Sequence, residues 1–521
     1  MENAAATERN VNVPGTKDDD IVVLSPAFRL RNESSHIKLY SLGGSGNSHL
    51  HHTVGIVLAL CDGKRTVRDI SQQVTSFSSS SDAQQALAEA QQKVKHIVDT
   101  FLKTDEERKG QGRSPTDTLP SEAPLIPLSL LPKFGNMPHP AYDFRSFLPK
   151  YAHAVGRNDG TLRDRVPASL QWHLTSACAT DCTYCYLGRR HIPSSEQLSF
   201  DRLMELLDEC QEIGVLEVNP SGGDLLLYPR LCEVLEAIDA RGFLPILIST
   251  KAYVSEEMAA QLAAHPIVYQ VQYSLDSTVA EAADYLTRTH GFYQRALESI
   301  RHLVAAGLSV AVKAVITPYN ILTIPRLYRE LRDMGVQGRI KLAMYCRSAY
   351  HHTDDLFNHP ETYHWLDQQV RQLRSEFPED FIVIQNGEPR LEPPPKAEIT
   401  TSLMETFVSR RARCTAGRTC MMICTDGRVI PCEQMPEREE CFVGDVKTQS
   451  IQEVWEGQRL HDMTIYPREA LRGTPCEDCG LFEECAIKKG FCIRDLMKHY
   501  GKIYATPPEC PKSDLPFVRP Q

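Results

Sequence analysis

Apolar and polar positions between residues 169 and 344 follow two periods, one typical of strands and one typical of helices. The predicted strands are Ser169–Leu174, Leu216–Asn219, Leu244–Ser249, Tyr269–Leu275, Ser309–Ile316 and Arg339–Met344. The predicted helices are Phe200–Ile213, Pro229–Arg241, Ser255–Ala264, Phe292–Ala306 and Ile321–Met334. Strands that alternate with helices form parallel sheets. We therefore expect an α/β fold in which six strands curl into a partial barrel, within a domain at residues 166–400.

A different pattern precedes the barrel, at residues 21–104. Three short strands are predicted first and three helices after them: Ile21–Leu24, Phe28–Leu30, Ile37–Tyr40, His51–Leu60, Val67–Val74 and Ala83–Leu102. Residues 1–20 are polar, and we predict a disordered tail there. Residues 105–165 are rich in proline, glycine, serine and charge, which predicts a linker. A cysteine-rich domain is expected at residues 401–521.

Composition narrows the class of protein. The 521 residues carry a formal net charge of −10, which argues against a dedicated nucleic-acid binder. The first residues lack the apolar core of a signal peptide, and no apolar run reaches the length of a membrane span. We therefore expect a cytoplasmic protein without a membrane partner. In that compartment the 17 cysteines predict metal ligation rather than disulfides.

Three of these cysteines, Cys178, Cys182 and Cys185, follow the first predicted barrel strand with the spacing C-x3-C-x2-C. Three thiolates on one short loop suit an iron–sulfur cluster and leave one iron of a cubane open to another ligand. A zinc loop or buried thiols are the alternatives, although zinc favours CxxC pairs with a fourth ligand nearby. The carboxyl ends of barrel strands are where chemistry is expected.

With Tyr184 before its last cysteine, this triad resembles the signature of the radical S-adenosylmethionine (SAM) enzymes. The resemblance implies a partial (β/α)6 TIM-like barrel, a catalytic triad and SAM chelated to the open iron. Pro220-Ser-Gly-Gly-Asp224 resembles the family's Gly-Gly-Glu motif, with aspartate replacing glutamate. A plain strand-to-helix turn is the alternative for this segment. The cofactor-binding residues that the resemblance implies are Tyr184, Gly222, Gly223, Asp224, Thr250, Ser274, Asp276 and Lys313.

Ten cysteines between Cys414 and Cys510 resemble a SPASM domain, which binds two auxiliary 4Fe–4S clusters. The resemblance implies one cluster on Cys414, Cys420, Cys432 and Cys492 and a second on Cys476, Cys479, Cys485 and Cys510. The family usually has a cysteine where this chain has Lys489. Either Cys492 takes that role, with Cys424 and Cys441 as possible substitutes, or one cluster keeps an open iron. Zinc ribbons are the alternative.

The segment Val54–Gly63 and the following Arg65–Ile70 resemble the PqqD-like recognition element of peptide maturases. This element has a winged helix-turn-helix fold and takes up a leader peptide as an added strand. A docking or dimerisation domain is the alternative. A DNA-binding winged helix is disfavoured because no basic recognition helix stands out.

Together the modules resemble a radical SAM maturase of ribosomally made peptides. The resemblance implies that a 5′-deoxyadenosyl radical abstracts hydrogen from a precursor peptide, which then closes a thioether or carbon–carbon cross-link. It also implies three 4Fe–4S clusters, a leader bound by residues 21–104, and reduced flavodoxin or ferredoxin as electron donor. The alternatives are a SPASM-type dehydrogenase that oxidises a protein or peptide residue and an iron–sulfur sensor that binds DNA.

Overall fold

The computed structural model describes residues 16–33, 36–41, 48–75, 82–102, 124–127, 142–147, 163–187, 192–193, 195–336, 339–345, 354–378, 381–385 and 399–513. These residues divide into two compact units, one formed by those from 16 to 147 and one by those from 163 to 513. Within the described ranges, every helix is too short or too polar to cross a membrane.

The first unit contains two small antiparallel sheets and three helices. Strand β1 (Ile21–Leu24) lies between β5 (Asp62–Thr66) and β6 (Leu125–Pro127). The second sheet has the order β2 (Phe28–Glu33), β3 (His36–Ser41) and β4 (Ser48–Leu50). The helices are α1 (His52–Leu60), α2 (Val67–Thr75) and α3 (Ala83–Phe101). The three predicted strands and three predicted helices are present, and β4, β5 and β6 are additional.

Two parts of the first unit differ from the sequence-based prediction. The end of the predicted disordered tail is bound to helices, because Asp18 forms a 2.8 Å ion pair with Lys95 and the Asp20 carbonyl accepts from the Val67 amide. Residues 1–15 of that tail lie outside the described residues. Leu125–Pro127, predicted as linker, pairs with β1 because its three residues complete an apolar sheet edge. Most of the remaining predicted linker also lies outside the described residues.

The second unit contains the predicted barrel. Its parallel strands are β7 (Ser169–Thr175), β8 (Glu217–Gly222), β9 (Ile246–Thr250), β10 (Val268–Ser274), β11 (Val310–Ile316), β12 (Arg339–Met344) and β13 (Phe381–Gln385). The helices are α4 (Phe200–Ile213), α5 (Leu231–Ala240), α6 (Glu256–Ala263), α7 (Ala280–Thr287), α8 (Phe292–Ala305), α9 (Ile324–Asp333) and α10 (Pro360–Glu376). Strands β7 and β8 form one part of the wall, and β9 to β13 form the other.

The local sequence explains why these elements begin and end where they do. The Ser199 hydroxyl accepts from the Arg202 amide and caps α4, and Gly214 ends this helix with a φ of 88°. Among the described residues, each strand from β7 to β12 has one face that is mostly buried under the helices, and its other face is buried or half-buried apart from the exposed Ser249. All six predicted strands are present within three residues of their expected ends. The additional strand β13 follows α10 and pairs with β12.

The cysteine-rich region belongs to the same unit. Its strands are β14 (Cys420–Ile423), β15 (Arg428–Ile430) and β16 (Gly444–Asp445), and its helices are α11 (Thr401–Arg410), α12 (Ile451–Glu456), α13 (Gln458–Thr464) and α14 (Ile493–Tyr500). Strand β14 pairs in parallel with β7, with Cys420 opposite Ser169. This region therefore extends the barrel sheet and is anchored to the strand that leads into the triad loop.

Candidate active site

The cysteine triad lies on the loop that leaves β7 at the carboxyl end of the barrel. Cys182 is buried, Cys185 is half-buried and Cys178 is exposed. The Thr180 hydroxyl lies 3.7 Å from Cys178 Sγ and 3.2 Å from Cys182 Sγ, so two of the thiols share one polar neighbour. Burial and the thiolates of Cys182 and Cys178 raise the pKa of Cys185 to about 11. This donor set fits an iron–sulfur cluster.

The Gly-Gly-Asp segment is held directly against this loop. The Gly223 amide donates to the Thr175 carbonyl at 2.8 Å, and the Asp224 amide donates to the Ala177 carbonyl at 2.7 Å. A Cβ on Gly223 would lie 2.3 Å from the Ala177 carbonyl oxygen, and one on Gly222 would lie 2.4 Å from that of Thr175. Only glycine permits this approach. The backbone of the segment thus forms a wall beside the triad.

The Asp224 carboxylate is buried and already has protein partners. It accepts from the Thr250 hydroxyl at 2.8 Å and from the amides of Lys251 and Ala252, each at 2.8 Å. Burial raises its pKa, and these hydrogen bonds oppose that shift. Asp224 and Thr250 therefore brace the end of β9 against the glycine segment. Their contact with a cofactor stays a prediction.

Lys251, which sequence reasoning missed, links Asp276 to the aromatic residue of the triad. Its ammonium donates to Tyr184 Oη at 2.6 Å and forms a 3.2 Å ion pair with Asp276 Oδ2, which also accepts from the Tyr184 hydroxyl. Burial disfavours the ammonium, but Asp276 and the Cys182 thiolate outweigh this effect and raise the pKa of Lys251. The Lys251 ammonium therefore joins Tyr184 and Asp276, two of the predicted cofactor-binding residues, beside the triad. A lone lysine after a strand carries no sequence signal for this role.

The Lys251–Asp276 pair gives a stability prediction. Lys251→Met should lower the free energy of unfolding by about 3–5 kcal/mol, because it leaves the Asp276 carboxylate buried without its cation. The matched control is Arg288→Met, whose 3.2 Å pair with Asp181 is half-exposed and should contribute less than about 1 kcal/mol. Chemical unfolding measures both changes, and equal effects would contradict a structural role for the buried pair.

Ser274 and Lys313 face each other across neighbouring strands. They are paired in the parallel register of β10 and β11, and both side chains are half-buried. Among the described residues, neither the Ser274 nor the Lys313 side chain forms a hydrogen bond or an ion pair. Both lie near Asp276, which follows β10, so the structure brings these two predicted residues to one edge. Their cofactor contact also stays a prediction.

The first predicted auxiliary set comes together beside β14. Burial and then Cys414 raise the pKa of Cys420 to about 12, and burial together with Cys420 and Cys414 raises that of Cys432. Burial and Asp495 raise the pKa of Cys492 to about 12, and Cys414 adds to the shift. The Cys414 amide also donates to the Lys489 carbonyl at 2.8 Å, so the segment that leads to Cys492 contacts Cys414.

For Cys441, one of the two substitute candidates, no thiol is among the described groups that shift its pKa. Cys441 is fully buried, and its pKa is raised by burial and Glu440 rather than by a thiol. We therefore expect Cys492→Ala to lower the iron content or alter the auxiliary-cluster spectrum, and Cys441→Ala to do neither. Iron analysis with electron paramagnetic resonance checks both variants. The reverse pattern would show that Cys492 is not a ligand.

The second predicted set lines one pocket. Cys476, Cys479, Cys485 and Cys510 are all in the lining of this small pocket, which is partly open to solvent. The rest of the wall is mostly apolar, with Met404, Val408, Phe482 and Phe491. Burial and the other three thiolates raise the pKa of Cys510 to about 12. Four thiols around one pocket have the donor chemistry that a cubane cluster needs.

The geometry of the thiol sets also decides whether they could form a site for a single metal ion. In the ranges that the structure describes, no group of three or more His, Cys, Asp or Glu side chains is arranged to hold one metal ion. The three thiol sets are therefore candidates for clusters of several irons, not for a single ion.

Comparison with known protein families agrees with this arrangement. The radical SAM superfamily model matches residues 172–334, and the SPASM model, an iron–sulfur cluster-binding domain, matches residues 414–480. The chain thus contains a SAM-binding barrel domain followed by an iron–sulfur domain. It is a radical SAM enzyme with a SPASM domain, as the two motif resemblances predicted.

Several curated proteins are similar over most of their length. Mycofactocin maturase MftC of Mycobacterium tuberculosis is 28% identical over 352 residues, covering 66% of this chain and 83% of that protein. PqqA peptide cyclase of Granulibacter bethesdensis is 22% identical over 360 residues, covering 68% of this chain and 89% of that protein.

A solved structure covers nearly the whole chain. Streptococcus suis SuiB, bound to the precursor peptide SuiA, aligns with 94% of this chain and 99% of its own, with a TM-score of 0.59 and 15% identity. At this identity the similarity concerns the fold.

Proposed function

We propose that this enzyme installs a thioether or carbon–carbon cross-link in a ribosomally synthesised precursor peptide. The observation that carries the proposal is the pair of four-cysteine sets attached to a radical SAM barrel through β14. The names of the similar proteins support the substrate class, because one is a peptide cyclase, another a maturase, and SuiB was solved with a precursor peptide.

The bound cofactor would supply a 5′-deoxyadenosyl radical, which abstracts hydrogen from an unactivated carbon of the peptide. The chain's own residues hold and shield this site. Cys178, Cys182 and Cys185 would ligate the SAM-binding cluster, and the carbonyls of Gly222 and Gly223 would accept the methionine ammonium. The Tyr184–Lys251–Asp276 group beside the triad would line the cofactor site. Precise placement of the reacting carbon accounts for much of such catalysis.

The first unit would bind the leader of the precursor as an added strand. Strands β2 and β4 are the terminal strands of their sheet among the described residues. On β2, the Leu30 amide already donates to the Tyr142 hydroxyl at 2.8 Å, so one hydrogen-bonding group of that edge is occupied. The edge of β4 is the other place for main-chain pairing with a leader.

The two auxiliary 4Fe–4S clusters would make three clusters per chain and would take up the electron released when the cross-link closes. Reduced flavodoxin or ferredoxin would deliver the electron that cleaves SAM. Mass spectrometry of a precursor peptide treated with enzyme, SAM and reductant tests this function. A cross-linked product should be two hydrogens lighter than the precursor.

A further inference from the structure

One buried guanidinium contacts the second predicted cluster set directly. Arg411 follows α11, and its side chain is only 8% exposed. Its Nη1 donates to Cys485 Sγ at 2.9 Å and to the Cys485 carbonyl at 3.3 Å, and its Nη2 donates to the Gly490 carbonyl at 2.9 Å. The guanidinium carbon also lies 5.6 Å from the ring centre of Phe491. These contacts fix the cation on one sulfur.

A carboxylate stands on the other side of this cation. Glu509 Oε1 lies 3.4 Å from Arg411 Nη2, and Glu509 immediately precedes Cys510 in the chain. Its side chain is 17% exposed. The exposed Lys512 is the charged residue in the lining of the pocket. Arg411 and Glu509, which are more deeply buried, place one positive and one negative charge next to Cys485 and Cys510. Charges this buried are screened little by salt.

We propose that Arg411 raises the reduction potential of the auxiliary cluster held by Cys476, Cys479, Cys485 and Cys510, and that Glu509 lowers it. Hydrogen bonds to cluster sulfurs and nearby net charge are among the factors that set such potentials. A cation stabilises the extra negative charge of the reduced cluster, and an anion destabilises it. Arg411 thus makes this cluster a better electron acceptor than it would be without the cation. The inference rests on the proposed function, because it needs the second cluster.

The test is a redox titration followed by electron paramagnetic resonance. Full-length protein with Cys178, Cys182 and Cys185 all changed to Ala leaves only the auxiliary clusters in the spectrum. In this background Arg411→Met should lower one midpoint potential by at least about 59 mV, which for one electron is a tenfold change in the equilibrium constant of reduction. Glu509→Gln should raise the same potential. Opposite shifts identify an electrostatic effect, since loosened packing would not reverse its sign.

Two further variants complete the design. Arg468→Met is the matched control, because Arg468 is an exposed cation that donates to the backbone carbonyls of Glu477 and Cys479 and lies 4.2 Å from the ring centre of Phe482, not on a sulfur. Solvent screens its charge, so the potentials of this variant should stay close to those of the unchanged background. If Arg411→Met loses iron, Arg411→Lys decides, since it keeps the charge but loses the fork geometry and should give a smaller downward shift.

Iron content distinguishes the absence of the second cluster from the absence of an effect of Arg411 on its potential. Cys485→Ala in the same background should lose iron, and an unchanged iron content would overturn both the second cluster and the role of Arg411. Retained iron with unmoved potentials in Arg411→Met and Glu509→Gln would overturn the role of Arg411 alone. If Arg411→Met loses its iron, an Arg411→Lys variant that keeps its iron takes its place. An unchanged potential in that variant would overturn the role of Arg411.

Discussion

Replacing Cys178, Cys182 and Cys185 together with alanine should abolish formation of 5′-deoxyadenosine and remove about four of about twelve irons per chain. The reason is geometric. The three thiols share the loop after β7, whereas the auxiliary sets lie on segments after residue 413. The loss should therefore be confined to one cluster, and the auxiliary spectrum should persist.

The control for the triple variant is Cys232→Ala. Cys232 is a half-buried thiol on α5 with no predicted ligand role, so this variant should keep about twelve irons and full cofactor cleavage. Chromatography of the nucleoside product and iron analysis measure both outcomes. Continued 5′-deoxyadenosine formation in the triple variant would end the assignment of the triad as the SAM-binding site.

Removing the first unit should leave the chemistry intact and weaken the use of the precursor. The deletion should extend to residue 152, because β6 and the segment Phe144–Phe147 belong to the first unit. The truncated enzyme should bind three clusters and cleave SAM slowly without substrate. It should fail with dilute precursor and recover partly with abundant precursor, since tethering through the leader raises the apparent affinity for the precursor by about 10²–10⁴-fold.

The leader itself provides the control for this deletion. On the intact enzyme, a proline in the strand-forming part of the leader should weaken apparent binding, because proline cannot donate a hydrogen bond to the sheet. The same proline should not affect the truncated enzyme. Initial rates measured over a range of precursor concentrations distinguish affinity from turnover. Equal rates of intact and truncated enzyme with dilute precursor would show that the first unit does not read a leader.

Local sequence signals were sufficient for most of the barrel. Helix Phe200–Ile213 has the predicted ends because the residues that flank it are a capping serine, Ser199, and a terminating glycine, Gly214. Leu125–Pro127 could not be recognised as a strand, because its partner β1 lies about a hundred residues earlier and only tertiary pairing defines it. The pairing of β14 with β7 is non-local in the same way.

The site was predictable where one motif supplied the chemistry. The triad and the glycine segment are each one short stretch of sequence, and the structure places the glycine segment against the loop that carries the triad. Lys251 was missed because its role depends on Tyr184 and Asp276, which come from two other strand ends. Arg411 was missed for a similar reason, since its contact with Cys485 crosses more than seventy residues. The radical SAM and SPASM assignments are confirmed, whereas the individual ligand assignments stay predictions.

The most direct measurement of the central claim is tandem mass spectrometry of the precursor peptide after anaerobic incubation with the intact enzyme, SAM and a reductant. Short open reading frames beside the gene supply the candidate precursors. The proposed function predicts a product two hydrogens lighter whose fragmentation is suppressed between two joined residues, formed together with 5′-deoxyadenosine. An unmodified precursor, or a lighter product that fragments fully along its length, would contradict cross-linking.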